Sequence, residues 1–222
     1  MRVKKYIQEN WVKTVRAPNQ KGHGCVSLPK PFSSPSIETE FEDFYYWDTY
    51  FINLGLLTDG LREQAKNNLD NIAYLIRHKG YMPNASHLHY TSQPPLFLSA
   101  VFDYYRYTND VSVFDEYFDA ILKEYDFFAS DRMTKIGLNQ YGCVYFLKSQ
   151  TPWLYEYMTD RCGEKCYRGQ TRSRFIKGMF AIYESGWDTT PRFPDENTAF
   201  ASLKYAQVDL NSLLYDMEIK IS

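Results

Sequence analysis

The chain has 222 residues, 44% of them hydrophobic, and a formal net charge of −2, which excludes a disordered protein and fits one domain or part of a larger one. The near-neutral charge argues against a nucleic-acid partner, because phosphate backbones are bound by clustered basic surfaces. Aromatic residues make up 18% of the chain. Most of them suit core packing, and some suit the stacking surfaces of a sugar site.

The chain carries no apolar run typical of a signal peptide or of a membrane-spanning helix. We therefore expect a cytoplasmic location and no membrane partner. Four Cys in such a protein are expected to stay reduced. Cys162 and Cys166 have no further ligands close in sequence, so neither a metal nor another cofactor is expected.

The first 40 residues are expected to form an irregular N-terminal segment that contains one short helix. Residues 5–16 have the pattern of an amphipathic helix, and residues 17–39 are rich in Pro, Ser and Gly. Because a loop of this length is usually functional or packed on other elements, we expect it to wrap over part of the molecule.

Residues 41–222 have the pattern of a helical-hairpin array. Apolar periodicity predicts helices at residues 46–58, 61–79, 96–107, 111–129, 172–183 and 209–220. Gly80 is expected to end the second of these, and a turn is expected at residues 108–110. Residues 131–170 show the least regular pattern, with a short hairpin near 141–147 as their candidate element.

Two segments place polar side chains among rings and turns. In FEDFYYWDTYF, at 41–51, Asp48 follows Trp47 and fits either a ligand-binding acid or an ordinary acid of a first helical turn. In GYMPNASHLHYTSQPP, at 80–95, the amides of Asn84 and Gln93 are suitable partners for sugar hydroxyls, although the composition by itself favours an ordinary turn.

A third segment, YESGWDTTPRF at 183–193, places Glu184 and Asp188 four residues apart. Gly186 permits a tight turn, and Trp187 is expected to shield Asp188 from water. Such shielding raises the pKa of a carboxyl and keeps a proton available for general-acid catalysis, as glycoside hydrolysis requires. The alternative is an Asp that caps a helix.

Taken together, these segments resemble the trehalase family, glycoside hydrolase family 37. The family's Tyr-x-Trp-Asp-x-Tyr element matches residues 45–50, and its Pro-Asn and Ser-Gln-Pro-Pro elements match 83–84 and 92–95. Its Glu-Ser-Gly-Trp-Asp element matches 184–188, and a Val-Asp-Leu-Asn stretch matches 208–211. Several motifs in the same order make the resemblance specific.

The resemblance implies an all-α fold of (α/α)₆ toroid-type helical hairpins, with about half of the barrel in this chain. It implies an inverting glycoside hydrolase that acts on trehalose or a related α-glucoside, with Asp188 as general acid. Val208 to Asn211 would support the pocket wall. The substrate-binding residues that it implies are Phe41, Tyr45, Trp47, Asp48, Asn84, Gln93, Gly186 and Trp187.

The chain departs from the family at three sugar-site positions. Glu40 and Thr91 stand where the family has Arg, and Ala85 stands where it has Gly. Because Arg donates several hydrogen bonds and Glu none, a related glycosidase for another sugar and a non-catalytic carbohydrate-binding remnant both stay open.

The family's catalytic base has no match in this chain, and Glu184 is a weak candidate for that role. The base belongs to the family's C-terminal half, so we expect the chain to be truncated. A half barrel would expose apolar helix faces, and these would promote self-association.

Overall fold

The structure, a computed structural model, describes residues 2–18, 27–37, 41–144, 151–162, 169, 171–188 and 202–222. Its elements are α1 (Arg2–Thr14), β1 (Val15–Arg16), β2 (Phe32–Ser33), α2 (Tyr46–Thr58), α3 (Arg62–Lys79), α4 (Phe97–Thr108), α5 (Ser112–Asp131), α6 (Thr151–Cys162), α7 (Arg172–Glu184), a 3₁₀ turn (Ser202–Lys204) and α8 (Val208–Ile221). The predicted all-α class is confirmed, since the sheet among the described residues is one antiparallel pair of two-residue strands.

The chain divides into two compact units. The first unit comprises Met1–Leu88 and Leu96–Tyr125, and the second unit comprises His89–Pro95 and Asp126–Ser222. The assignment of residues 1–222 to one partial catalytic domain stays a prediction. Within the described residues, no helix is both long and apolar enough to cross a bilayer.

Several helix boundaries follow from local signals in the sequence. Helix α2 spans Tyr46–Thr58, as predicted, and α3 ends at Gly80, whose φ of 83° lies in the left-handed region. Helix α4 ends at Asn109 with a φ of 58°. The hydroxyl of Thr171 accepts a hydrogen bond from the backbone N–H of Arg174 at the start of α7. Gly and Asn tolerate left-handed backbone, and a capping hydroxyl satisfies an N–H that has no partner within the helix.

The region expected to be least regular contains helix α6, so that prediction was wrong. The buried side chains described on α6 are Leu154 and Met158, which form too narrow a stripe to reveal the helix by periodicity. Pro152 lies in its first turn, where a missing N–H costs no helical hydrogen bond. Of the hairpin predicted near 141–147, residues 141–144 form no strand, and the rest lies outside the described residues.

The first unit is organised around α3, against which α2, α4 and β2 pack. Part of the irregular segment is held there by side-chain amides. Ser33 donates its N–H to Asn68 Oδ1 at 3.0 Å, and Lys30 donates its N–H to Asn71 Oδ1 at 3.1 Å. Residues 27–37 therefore wrap over α3, as expected for that part of the segment.

The second unit has its own apolar core between α6 and α7. Its buried members are Leu154, Met158, Phe175, Ile176, Met179, Phe180 and Ile182. Helix α8 is tied to the chain after α5 by a pair of hydrogen bonds. The N–H of Asn139 donates to Asn211 Oδ1 at 2.8 Å, and Asn211 Nδ2 donates to the carbonyl of Asn139 at 2.9 Å. Asn211, the last residue of the Val-Asp-Leu-Asn stretch, thus has a structural role in this unit.

Candidate functional site

Two of the sequence motifs meet at the start of α2 in the first unit. The N–H of Tyr46 donates to the carbonyl of Asn84 at 3.0 Å, and Tyr45 forms an isolated antiparallel bridge with Ala85. The N–H of Ser86 donates to the carbonyl of Phe44 at 2.9 Å. Backbone pairing therefore places the buried Asn84 beside the Tyr-Tyr-Trp-Asp element.

Aromatic rings surround this junction. The ring of Tyr45 makes edge contacts with Phe41 and His87, at centroid distances of 5.9 and 5.8 Å, and Trp47 contacts Phe51 at 5.4 Å. Phe41 is 61% exposed, and its φ of 59° is unusual for a bulky residue. Exposed and half-buried rings of this kind offer stacking surfaces to the C–H faces of a sugar.

Asp48 lies in the first turn of α2 and is half-buried. Burial raises the pKa of its carboxyl, and a hydrogen bond from its own backbone N–H opposes that rise. Asp48 is thus an acid of the first helical turn, which is one of the two interpretations that its sequence position allowed. The position also suits a group that exchanges hydrogen bonds with a hydroxyl, so sugar binding by Asp48 stays a prediction.

Tyr46 points into the core of the first unit and meets a buried acid, Glu124. Its hydroxyl donates to Glu124 Oε1 at 2.5 Å and accepts hydrogen bonds from the N–H groups of Leu96 and Phe97, at 2.8 and 2.7 Å. Burial raises the pKa of Glu124 to about 8. Sequence reasoning missed Glu124, because nothing local distinguishes it from the other acids of α5.

Glu184 joins three segments of the second unit. Arg132 donates Nε to Oε2 and Nη2 to Oε1, each at 2.7 Å, in a bidentate ion pair. The N–H of Ser92 donates to Oε1 at 2.9 Å, and the N–H of Gly142 donates to Oε2 at 2.6 Å. Burial disfavours the charged form of Arg132. The negative charge and the hydrogen bonds of Glu184 outweigh the effect of burial, and the pKa of the guanidinium is raised above its ordinary value. Sequence reasoning missed Arg132, which no motif marks.

These contacts argue against Glu184 as the catalytic base. A general base must take a proton from water, whereas Glu184 is fully buried and both of its oxygens accept hydrogen bonds from protein donors. Its position instead connects the Ser-Gln-Pro-Pro element, through Ser92, with the Glu-Ser-Gly-Trp-Asp element. Gln93 follows Ser92 directly and is buried.

The turn after α7 forms as predicted, but the expected shielding of Asp188 does not. Gly186 has a φ of 73°, which permits the tight turn. Trp187 is 47% exposed and Asp188 is exposed as well, so the indole does not desolvate the carboxyl. The physical reason is that both residues follow the turn that ends α7, beyond the packed face of the helix, where neither is buried in the core.

The predicted site residues therefore fall into two sets. The first unit holds Phe41, Tyr45, Trp47, Asp48 and Asn84, and the second unit holds Gln93, Gly186, Trp187 and Asp188. Glu40 lies outside the described residues.

The described residues contain no group of three His, Cys, Asp or Glu side chains that could hold a metal ion. Cys143 is a free thiol, half-buried in the second unit. The side chains of Cys25, Cys162 and Cys166 lie outside the described residues.

Comparison with known structures first identifies the fold. Neutral trehalase Nth1 from Saccharomyces cerevisiae superposes with a TM-score of 0.66 and 22% identity, over 98% of this chain and 45% of that one. The chain thus has the all-α fold of the corresponding part of a solved trehalase.

Comparison of sequences then identifies the family. The family model for trehalase matches residues 1–222, and the chain belongs to the trehalase family. It is 30% identical to a trehalase from Dictyostelium discoideum over 94% of this chain and 38% of that protein. It is 31% identical to a periplasmic trehalase from Pseudomonas aeruginosa over 86% of this chain and 37% of that protein. The chain therefore spans less than half the length of these relatives.

Proposed function

We propose that this chain supplies the sugar-binding and acid-bearing part of an inverting glycoside hydrolase that cleaves trehalose or a related α-linked glucoside. One observation carries the proposal beyond family membership. Glu184 hydrogen-bonds the Ser-Gln-Pro-Pro element and itself begins the Glu-Ser-Gly-Trp-Asp element. Two elements of the family signature, which bear Gln93 and Asp188, are thus fixed to one buried carboxylate.

The proposed roles follow from the chemistry of each side chain. In the first unit, the rings of Tyr45 and Trp47 stack on glucose, while Asp48 and Asn84 bind its hydroxyls. In the second unit, Asp188 protonates the oxygen of the leaving sugar. Its exposure leaves the carboxyl accessible to substrate, and enclosure by the bound sugar would raise its pKa toward the value that an acid needs.

Inversion also requires a carboxylate that activates water on the opposite face of the sugar ring, about 6.5–9.5 Å from the acid. Glu184 is committed to Arg132 and to backbone donors. We propose that the base belongs to the part of the relatives' length that these 222 residues do not span. Hydrolysis by this route uses water and needs no cofactor.

Two alternatives have specific support. A non-catalytic carbohydrate-binding role is favoured by the engagement of Glu184, which leaves Asp188 without a second acid in its own motif. A different sugar is favoured by Thr91 and Ala85, which are both buried and stand where the family has Arg and Gly. A buried Thr cannot replace the long reach and multiple donors of Arg.

The deciding experiment compares the chain with its Asp188→Asn variant. We expect saturable binding of trehalose by both proteins in calorimetry, because the substitution keeps the shape of the side chain and removes only its proton. We expect the variant to abolish any glucose release from trehalose and other α-linked disaccharides. The matched control is Asp160→Asn, which changes an exposed Asp on α6 in the same unit.

The results of this experiment distinguish the proposed glycosidase role from its alternatives. Equal glucose release by the wild type and by Asp188→Asn would contradict the acid assignment. Sugar binding without release by any protein would fit both a catalytic part that lacks its base and the carbohydrate-binding role. Glucose release after addition of the part that the relatives have and these residues do not span would then favour the catalytic role. Absence of binding to every sugar in the panel would overturn both.

The cytoplasmic location and the self-association stay predictions. The relatives from Pseudomonas aeruginosa and Xanthomonas campestris are named periplasmic trehalases, so cell fractionation is the test of location. Sedimentation of the purified chain over a range of concentrations tests self-association.

A further inference from the structure

Glu124 is a buried titratable group that the proposed chemistry does not use. Its side chain is fully inaccessible, and Oε1 accepts the hydroxyl of Tyr46 at 2.5 Å. Its other oxygen, Oε2, is buried and has no hydrogen-bond partner among the described residues. A carboxylate charge in such a place lacks the donors that would stabilise it.

The Tyr46 hydroxyl connects Glu124 to two helix starts. A phenol has one proton to donate and two lone pairs, and all three are used here, by Glu124 and by the N–H groups of Leu96 and Phe97. Tyr46 is the first residue of α2 and Phe97 the first of α4. The hydroxyl therefore fixes the start of α2, including the candidate sugar-binding residue Trp47, relative to α4.

The surroundings of Glu124 favour its neutral form. From α2 the titratable group that faces it is Tyr46, whose own pKa is raised, first by burial and then by Glu124. The hydrogen bond that Tyr46 donates lowers the pKa of Glu124, but burial outweighs it. From α4 the backbone N–H of Phe97 lies close enough to lower the pKa of Glu124 slightly. Among the residues that the structure describes, no cation contributes to its electrostatic environment, in contrast to Glu184, so burial dominates.

We propose that Glu124 is a positioning residue: its neutral form holds Tyr46 and the start of α2 in the sugar-binding geometry, and its ionisation weakens sugar binding. The inference rests on the proposed function, since it concerns the same sugar site. Ionisation leaves Tyr46 as the side-chain donor to the charge, on Oε1, while Oε2 has no hydrogen-bond partner among the described residues. The charge on Oε2 is then stabilised when water reaches it. Entry of water separates Glu124 from Tyr46 and releases the start of α2.

The first experiment follows protonation without any sugar. The infrared C=O stretch of a protonated carboxyl is recorded from pH 5 to pH 10 for the wild type and for Glu124→Gln. We expect one such band to persist at pH 7, to disappear with a midpoint near pH 8, and to be missing from the variant. In parallel, near-ultraviolet circular dichroism of the aromatic rings should change with the same midpoint in the wild type and stay constant in the variant.

The second experiment measures the dissociation constant for trehalose over the same pH range. If only the neutral form binds, affinity of the wild type falls about tenfold per pH unit above the pKa of Glu124. Glu124→Gln keeps an oxygen that accepts the Tyr46 hydroxyl and cannot ionise, so its affinity should stay constant. Persistence of binding by this conservative variant at high pH is a result that a merely structural role does not predict.

The two experiments separate the failure of this inference from failure of the proposed function. Absence of binding to trehalose and to every other sugar of the panel would refute the proposed function, while the infrared and dichroism titrations would still decide whether Glu124 is protonated and holds the aromatic rings at the start of α2. The same loss of affinity in the wild type and in Glu124→Gln would overturn the inference, as would an infrared band already lost at pH 6. If Glu124→Gln does not fold, Tyr46→Phe replaces it, and the dichroism change should then disappear while the infrared band remains.

Discussion

Glu124 in the first unit and Glu184 in the second are both inaccessible to solvent, and both contact an element of the family signature. Their partners differ. Glu184 faces a guanidinium and two backbone N–H groups, whereas Glu124 faces a phenol, and one of its oxygens has no hydrogen-bond partner within the described part of the chain. Burial of a carboxyl therefore does not decide its charge by itself. The donors around it decide whether it serves as an ionic anchor or as a neutral hydrogen-bonding group.

The largest effect is expected from breaking the ionic anchor. Arg132→Ala leaves the Glu184 charge buried without its cation, which typically costs about 3–5 kcal/mol in the free energy of unfolding. Urea unfolding followed by circular dichroism measures the loss. Arg106→Ala is the control, because the Arg106 side chain is exposed and its ion pair with the partly buried Asp103 should contribute about 1 kcal/mol or less. Equal losses in the two variants would show that the buried pair is not an anchor.

The next effect has a comparable total size but is spread over several pH units, and it tests the contrast between the two acids through pH. Because the pKa of Glu124 is raised to about 8, the folded protein keeps a proton that the unfolded chain has already released. Stability should therefore fall as pH rises, by about 1.4 kcal/mol per pH unit, from the ordinary Glu pKa of about 4.3 up to the raised value, and then level off. Denaturant unfolding at several pH values gives the free energy of unfolding of the wild type and of Glu124→Gln. The difference between the two proteins at each pH is the contribution of Glu124. If the free energy of unfolding depends on pH in the same way in both proteins, the pKa of Glu124 is not raised.

A smaller effect is expected at the hydroxyl that joins α2 and α4. Tyr46→Phe removes the partner of Glu124 and of two backbone N–H groups, so we expect a loss of about 1–3 kcal/mol. Tyr107→Phe is the matched control, since its hydroxyl lies on the surface, 3.2 Å from Thr58 Oγ1. Thermal unfolding compares the two, and an equal change in both would argue against the buried network.

The smallest effect concerns sugar binding. Trp47→Ala removes stacking area from the aromatic group at the start of α2, and we expect affinity for trehalose to fall about threefold to tenfold. Trp153→Ala is the control, because Trp153 is 60% exposed on α6 and belongs to none of the family motifs. Calorimetric titration measures both variants. Unchanged affinity in Trp47→Ala would remove Trp47 from the proposed site.

The sequence predicted most helices because their signals are local. The boundaries of α2 and the end of α3 at Gly80 follow from apolar spacing and from a residue that tolerates left-handed backbone. Helix α6 was not predicted from the sequence, because too few of its side chains are buried to produce an apolar periodicity. The family motifs could also be recognised in the sequence, since each is a short stretch of characteristic residues.

The site was only partly predictable for a different reason. Asn84 meets the start of α2 through backbone hydrogen bonds, and Arg132 meets Glu184 across 52 positions of sequence. Such pairings depend on how helices pack, so no local pattern reveals them. The expected shielding of Asp188 by Trp187 was wrong for the same reason, because adjacency in sequence does not establish burial.

The sequence by itself determined the family, most of the helices and the identity of the candidate sugar-binding residues, because motifs and periodicity are properties of neighbouring positions. Tertiary structure alone decided that Glu184 is an anchor paired with Arg132, that Glu124 is a buried partner of Tyr46, and that Asp188 is exposed. The physical reason is that the charge and role of a carboxyl depend on its donors and on its access to water, and packing brings both from distant parts of the chain.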